Sequence, residues 1–259
     1  MDMTANLKSK KVRDFSQVQV INRAAAILRA LRASGGLTLS QLAREVGLAR
    51  TTVYRIVATL ESEGLVTTVT PNGKIQLGIE LISLAAAVRT DVRRELHPYL
   101  EELSLRVDET VDLAMLDKDH CLFLDQIVRL RRLHAVSSVG LEFPLHCTAN
   151  GKALLTTIPI DEVLRIIPEK LQSYTPATLQ TREQLLQELQ CIRAEGVAFD
   201  REEHTQGICA VGAAVHAPMD TIVAISIPVP SVRFYGNEEK LASELLQMCN
   251  LVNSRYQPM

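Results

Sequence analysis

Residues 48–66 read LARTTVYRIVATLESEGLV, and the spacing of their apolar members decides the first half of the fold. Val53, Ile56, Val57 and Leu60 fall at i, i+3, i+4 and i+7, one stripe of a helix that needs a core beneath it. At about 100° per residue, that stripe leaves Thr51, Arg55 and Ala58 central on the opposite face. Thr52, Tyr54 and Thr59 flank them. Acid appears on this helix only at Glu61 and Glu63, in its last turn, so its front end suits a negatively charged partner.

Two more helices precede the quoted one. Ile21, Ala24, Ile27, Leu28 and Leu31 form a stripe that starts near Val20 and is ended by Gly35-Gly36. Thr38 and Gln41 then make a capping box, and the helix they open runs through Leu39, Leu42, Ala43 and Val46 to Gly47. Only VGLA separates it from the next helix, the short glycine-containing turn of a helix-turn-helix pair. Downstream, LVTTVTPNGKIQLG holds two β-prone runs around Asn72-Gly73, which predicts a hairpin with Lys74 at its tip. The whole predicts a winged helix-turn-helix over residues 17–80. Residues 1–16, with four basic side chains and no apolar period, read as a mobile arm.

Charge divides the chain in the same place. Residues 1–80 hold 11 Lys/Arg against 6 Asp/Glu, a net of +5, while residues 81–259 hold 17 against 24, a net of −7. A basic module that meets a polyanion is thus joined to an acidic module with another task. Five cysteines without a C-x-x-C spacing imply reduced thiols and a cytoplasmic protein. The start shows no signal-peptide pattern, and the longest apolar run, LISLAAAV, is far below the ~18 residues of a membrane span. No membrane partner is expected.

Beyond the hairpin, IELISLAAAVRTDVRREL predicts a linker helix over 81–97 that ends at His97-Pro98, with Pro98 opening a second helix, PYLEELSLRV. Residues 98–259 then alternate strands and helices. TVDLAMLD, HCLFLDQIV and LHAVSSV read as strands, followed by helices from Thr148, near DEVLRII, and from Thr181 to Gly196. VAFD, ICAVGAAVHA and TIVAISIPV read as further strands, and a helix from Glu238 closes the chain. The class is α+β with a mainly antiparallel sheet.

The stretches RAAAILRAL, LSQLAREVGLARTTVYRIVATLESEGLV, LHCTANGKALL and GVAFDREEHTQGICAVGAAV together resemble the IclR family of bacterial transcription regulators, from about Val20 to Tyr256. The resemblance implies an N-terminal DNA-binding domain, a linker helix used in dimerisation and a C-terminal GAF-like domain that binds a small effector. It implies a homodimer or a dimer of dimers, double-stranded operator DNA as partner, no cofactor and no enzymatic activity.

The helix chemistry agrees with it. Arg55 suits a bidentate contact to guanine, Thr51 and Thr52 suit phosphate or a thymine methyl, and Tyr54 suits the DNA backbone. Arg50 and, on the wing, Lys74 suit phosphate. In the second domain, Thr148-Ala149-Asn150-Gly151 opens a helix whose free N–H groups make a seat for a small carboxylate. A P-loop fails there, because His146 and Ala153 stand where Gly and Ser/Thr are required.

The family's effector residues carry over onto Ala149, Asn150, Asp200, Ala210 and Ser226. Two departures follow from the same comparison: a pocket Cys of some relatives aligns with Ala210, and a second pocket Ser aligns with Pro228. Fewer donors predict a ligand with more apolar surface, an aromatic or alkyl acid. Asp200 either orients a polar group of that ligand or caps the turn before REEH. Two rival readings use His146, Cys147, His204 and Cys209, as thiolate–imidazole pairs of an enzyme or as ligands of a metal- or thiol-responsive regulator. Adjacent residues on a strand point apart, which disfavours the first.

Overall fold

The computed structural model describes residues 18–69, 73–87, 91–129, 131 and 137–256, and divides into two compact units between Arg89 and Thr90. The first contains α1 (Gln19–Ser34), β1 (Leu37–Thr38), α2 (Leu39–Glu45), α3 (Arg50–Ser62), β2 (Val66–Val69), β3 (Lys74–Leu77) and α4 (Glu80–Ala87). Gly35 ends α1 in the left-handed region, at φ 67°, and donates its N–H to Leu31 O. The capping box of α2 is present, with Thr38 N–H bonded to Gln41 Oε1 at 2.9 Å. Ile27, Leu31 and Leu42 meet the α3 stripe Val53, Ile56, Val57 and Leu60 in one core, closed by Val66 and Ile75.

The hairpin gains a strand that sequence patterning did not show: β1 pairs with β3, giving an antiparallel order β1-β3-β2. Two residues carry too little periodicity to be seen. Gly73 takes φ +58°, as a tight hairpin turn requires, whereas Asn72 and the arm over 1–16 lie outside the described residues.

The second unit contains α5 (Asp91–Val107), β4 (Val111–Asp117), β5 (His120–Ile127), β6 (Glu142–Pro144), α6 (Ala149–Leu155), α7 (Ile160–Ile166), α8 (Arg182–Glu195), β7 (Ala198–Arg201), β8 (Ile208–Ala217), a 3₁₀ turn (Pro218–Asp220), β9 (Thr221–Pro230), α9 (Ser231–Phe234) and α10 (Glu238–Tyr256). Its strands form one antiparallel sheet in the order β6-β5-β4-β9-β8-β7. Side chains alternate across it. Val111, Leu113, Cys209, Val211, Ile225 and Ile227 join the core built with α5 and α10. Ala114, Phe123, Ala198 and Ala224 face α6, α7 and α8.

Two readings are corrected here. The helix expected to stop at His97-Pro98 does not: α5 runs through Pro98 to Val107. A proline inside a helix costs about 3 kcal/mol, but Leu96, Leu100 and Leu103 are fully buried on both sides of it. Arg93 and His97 also reach the buried Asp125 of β5, at 3.1 and 2.6 Å, and tie these turns to the sheet. LHAVSSV, read as a strand, lies partly outside the described residues, and Ser137 and Ser138 within it are not in a strand. The edge position beside β5 belongs to β6.

Candidate DNA-binding and ligand-binding sites

Burial of the α3 stripe turns its other face to solvent. Arg50, Thr51, Tyr54 and Arg55 are exposed and Thr52 is half-buried. Thr52 and Arg55 line a groove with Val20, Ile21 and Arg23 of α1, while Lys74 stands exposed at the start of β3, opposite Val69. Ala49 provides no side-chain cap for α3. The start of the helix therefore offers backbone N–H groups and positive side chains together, which suits phosphate.

In the second unit, Ala149, Asn150, Asp200, Ala210 and Ser226 all line one cavity of about 190 Å³. Sheet register brings them there. Asp200, Ala210 and Pro228 are neighbours across β7, β8 and β9, and Gly212, Ser226 and Asp112 across β8, β9 and β4. The start of α6 covers this floor at Gly212, where a Cβ would stand 2.8 Å from the Ala149 carbonyl carbon, so only glycine allows the approach. Thr148 fixes that helix start: its hydroxyl donates to Pro144 O at 2.8 Å and accepts from Gly151 N–H at 3.2 Å. Asn150 is buried and its Oδ1 has no hydrogen-bond partner.

The two halves of the chain match two models of one family. Residues 20–70 match the IclR helix-turn-helix domain and residues 84–254 match the bacterial transcriptional regulator IclR C-terminal domain. The chain belongs to the IclR family. It is 48% identical, over 92% of its length and 93% of the relative's, to the HTH-type transcriptional regulator Rv1719 of Mycobacterium tuberculosis. It is 36% identical, over 93% of each chain, to the HTH-type transcriptional regulator TtgV of Pseudomonas putida. An IclR regulator from Alicyclobacillus acidocaldarius superposes with a TM-score of 0.81 at 26% identity, covering 92% of this chain and 98% of that one. A homologue from Microbacterium hydrocarbonoxydans, solved with 4-hydroxybenzoate, shares the fold at a TM-score of 0.80 and 20% identity, with coverage of 91% and 98%. This chain is thus a DNA-binding transcription regulator with a helix-turn-helix and a C-terminal effector domain.

Four residues of this cavity escaped sequence reading, Asp112, Phe123, Ser137 and Phe143, and His204, named there only in the rival readings, lines it too. A lone Asp inside the apolar run VDLAML was the available signal for the first. Phe143 stacks on His204 at 4.6 Å and meets Phe123 edge-on at 5.0 Å, giving the cavity an aromatic wall. Burial pushes the His204 imidazole below its usual range, with nearby His146 acting in the same direction.

Two buried carboxyls stand beside the anion seat expected at α6. Asp112 and Asp200 are both raised to about 7, chiefly because burial disfavours their ionised forms. No Lys or Arg is among the described residues that line the cavity. The buried Lys152 is engaged by Glu188 at 2.5 Å and Glu203 at 2.6 Å. A carboxylate ligand would therefore meet two acidic groups that burial shifts toward their neutral forms. Asp200 also performs the turn-capping role, accepting Glu203 N–H at 2.7 Å.

Of the four residues of the rival readings, His146 and His204 both flank Tyr174, at 5.9 and 5.2 Å between ring centres, whereas Cys209 lies apart. Cys209 joins the core on the opposite face of the sheet, and His146 bonds to Gln172 O at 2.9 Å. Burial pushes the Cys147 thiol well above its usual range, which suppresses the thiolate a nucleophile needs. Among the described residues, no group of three or more His, Cys, Asp or Glu is placed to hold a metal.

Proposed function

We propose that α3 and the wing hold an operator, and that a ring-sized organic ligand in the α6 cavity sets how tightly they hold it. One observation carries the ligand half: five residues scattered over 78 positions, Ala149 to Ser226, converge on one cavity that contains a buried, unpartnered oxygen of Asn150. A cavity of about 150 Å³ accommodates benzene, so the 190 Å³ here suits one substituted ring. The ligand of the Microbacterium homologue, 4-hydroxybenzoate, is of that size.

For the DNA half, a helix fits a major groove about 12 Å wide with its first turns at the base edges. Arg50 and Lys74 contact phosphate, Arg55 contacts guanine, Thr51 and Thr52 contact phosphate or a thymine methyl, and Tyr54 packs on the backbone. Exposure of Ile79 and Ile82 on and beside α4, at 82 and 69%, supports a homodimer, and from it a dimer of dimers. The operator is then a near-palindrome.

Regulation requires that the ligand bind one arrangement of the dimer more tightly than the other. A tenfold preference, about 1.4 kcal/mol, shifts operator occupancy measurably. The test is operator affinity, by fluorescence anisotropy, with and without ligand. Ala210→Leu, which fills the cavity floor, should abolish the ligand's effect; a full response in that variant places the ligand elsewhere.

A further inference from the structure

The first turn of α1 stands clear of the core that the rest of the helix enters. Ile27 and Leu31 are buried, whereas Val18, Val20 and Ile21 are 59, 56 and 63% exposed. Val20, Ile21 and Arg23 form one wall of the groove whose other wall is Thr52, Arg55 and Thr59 of α3. The chain therefore enters the domain beside the outer face of the reading helix. No side chain caps α1 and no acid lies in its first turn, so its free N–H groups add positive potential at the point of entry.

The sequence that leads to this point contains KSKKVR, residues 8–13. It holds four of the 11 Lys/Arg in residues 1–80, with no acid between Asp2 and Asp14. Without these four, seven Lys/Arg stand against six Asp/Glu, and the segment is close to neutral. The charge that suits residues 1–80 to a polyanion is thus carried mainly by residues 8–13, rather than by the three helices and the hairpin. A chain spans at most about 3.6 Å per residue, so Arg13, five residues from Val18, reaches about 18 Å, and Lys8, ten residues away, about 36 Å. Grooves repeat every turn of about 34 Å, which places the minor groove beside an occupied major groove about 17 Å away.

We infer that residues 8–13 are a second DNA-contact element, which grips the phosphates along the minor groove beside the half-site that α3 occupies. This rests on α3 being the helix that meets DNA. Lys8, Lys10, Lys11 and Arg13 neutralise phosphate without reading bases, and their tether to the first turn of α1 keeps them at high local concentration over the duplex. Such an element strengthens binding to every sequence and leaves the choice among sequences to α3.

The experiment uses the full chain and a random-sequence duplex of about 40 base pairs, titrated by fluorescence anisotropy between about 50 and 200 mM salt. One variant combines Lys8→Ser, Lys10→Ser, Lys11→Ser and Arg13→Ser. Its affinity at the lower salt should fall at least about tenfold, and its slope of log affinity against log salt should shrink by at least about two units, since each lost phosphate contact removes about 0.9. Its melting temperature should match the wild type's; a fall would assign these residues to the fold and overturn the inference. A second variant, with Lys8→Arg, Lys10→Arg and Lys11→Arg, should keep both affinity and slope. Unchanged affinity and slope in the serine variant overturn the inference. So does tighter binding, which would mean that the basic residues are held by the acidic residues 81–259 instead. Arg50→Ala combined with Arg55→Ala separates the two levels: a loss confined to the serine variant supports the second element and refutes α3 as the contact, whereas a loss confined to the α3 variant refutes the second element alone.

Discussion

Lys152 Nζ lies 2.6 Å from Glu203 Oε1 and 2.5 Å from Glu188 Oε1, and the lysine is wholly buried. Removing one partner of a buried ion pair costs about 3–5 kcal/mol, because the remaining charge loses its compensation. Lys152→Met should therefore lower unfolding free energy by about that amount at pH 7, with part of the loss recovered as pH falls and Glu203, whose carboxyl burial already pushes up, takes up a proton. Urea denaturation at pH 7 and below checks this. A loss below about 1 kcal/mol would mean that the triad is well solvated.

Asp112 and Asp200 make stability depend on pH in an unusual direction. Their carboxyls are raised in the folded chain from 3.8 to about 7, so between about pH 4 and 7 the folded state holds protons that the unfolded state has released. Their contribution is fully present below pH 4 and is lost as pH rises through 7. Asp112 is faced by Gln126, Ser137 and Cys121, and Asp200 by Glu203, Lys152, His204 and Cys147. Asp112→Asn should flatten the fall in melting temperature between pH 5 and 8. Identical slopes in wild type and variant would refute the assignment.

Gly212→Ala should disturb the site without touching its polar groups. The added methyl would stand 2.8–3.0 Å from the backbone and Cβ of Ala149, and backbone cannot yield as a side-chain tip does. Overpacking of this kind costs about 1–3 kcal/mol. Ligand affinity should fall with stability, since α6 and its Asn150 must lift from the floor; unchanged affinity would show that α6 is not part of the ligand's seat.

On the DNA side, Arg50→Ala or Lys74→Ala should weaken binding to all sequences and reduce the slope of log affinity against log salt by about one unit. Arg55→Ala should cost about 1–3 kcal/mol on the operator and little on random DNA. Equal losses on both would make Arg55 a phosphate contact, a role compatible with its place beside Arg23 in the α1–α3 groove.

Periodicity made much of the fold legible. The α3 stripe, the Thr38 capping box, the helix start at Thr181, the glycine stops at Gly35 and Gly196, and the strands β4, β5, β7, β8 and β9 all depend on residues within a few positions of one another. Such signals are local, and the sequence holds them whole. Where a distant partner overrode a local rule, the reading failed: Pro98 signals a helix start, but the buried Leu96, Leu100 and Leu103 and the anchoring of Arg93 and His97 to Asp125 carry the helix through it.

The candidate site divides in the same way. The resemblance named Ala149, Asn150, Asp200, Ala210 and Ser226 in the sequence, and alternation placed Cys209 on the face opposite Ala210. The charge of the cavity is a property of tertiary structure. Asp112 enters it only because β9 lies between β4 and β8, more than 90 residues away along the chain, so that Ser226 becomes the register partner of both Asp112 and Gly212. Burial then raises both carboxyls and occupies Lys152 elsewhere. Desolvation depends on what the whole fold excludes from a point in space, and no spacing of residues along a chain encodes it directly.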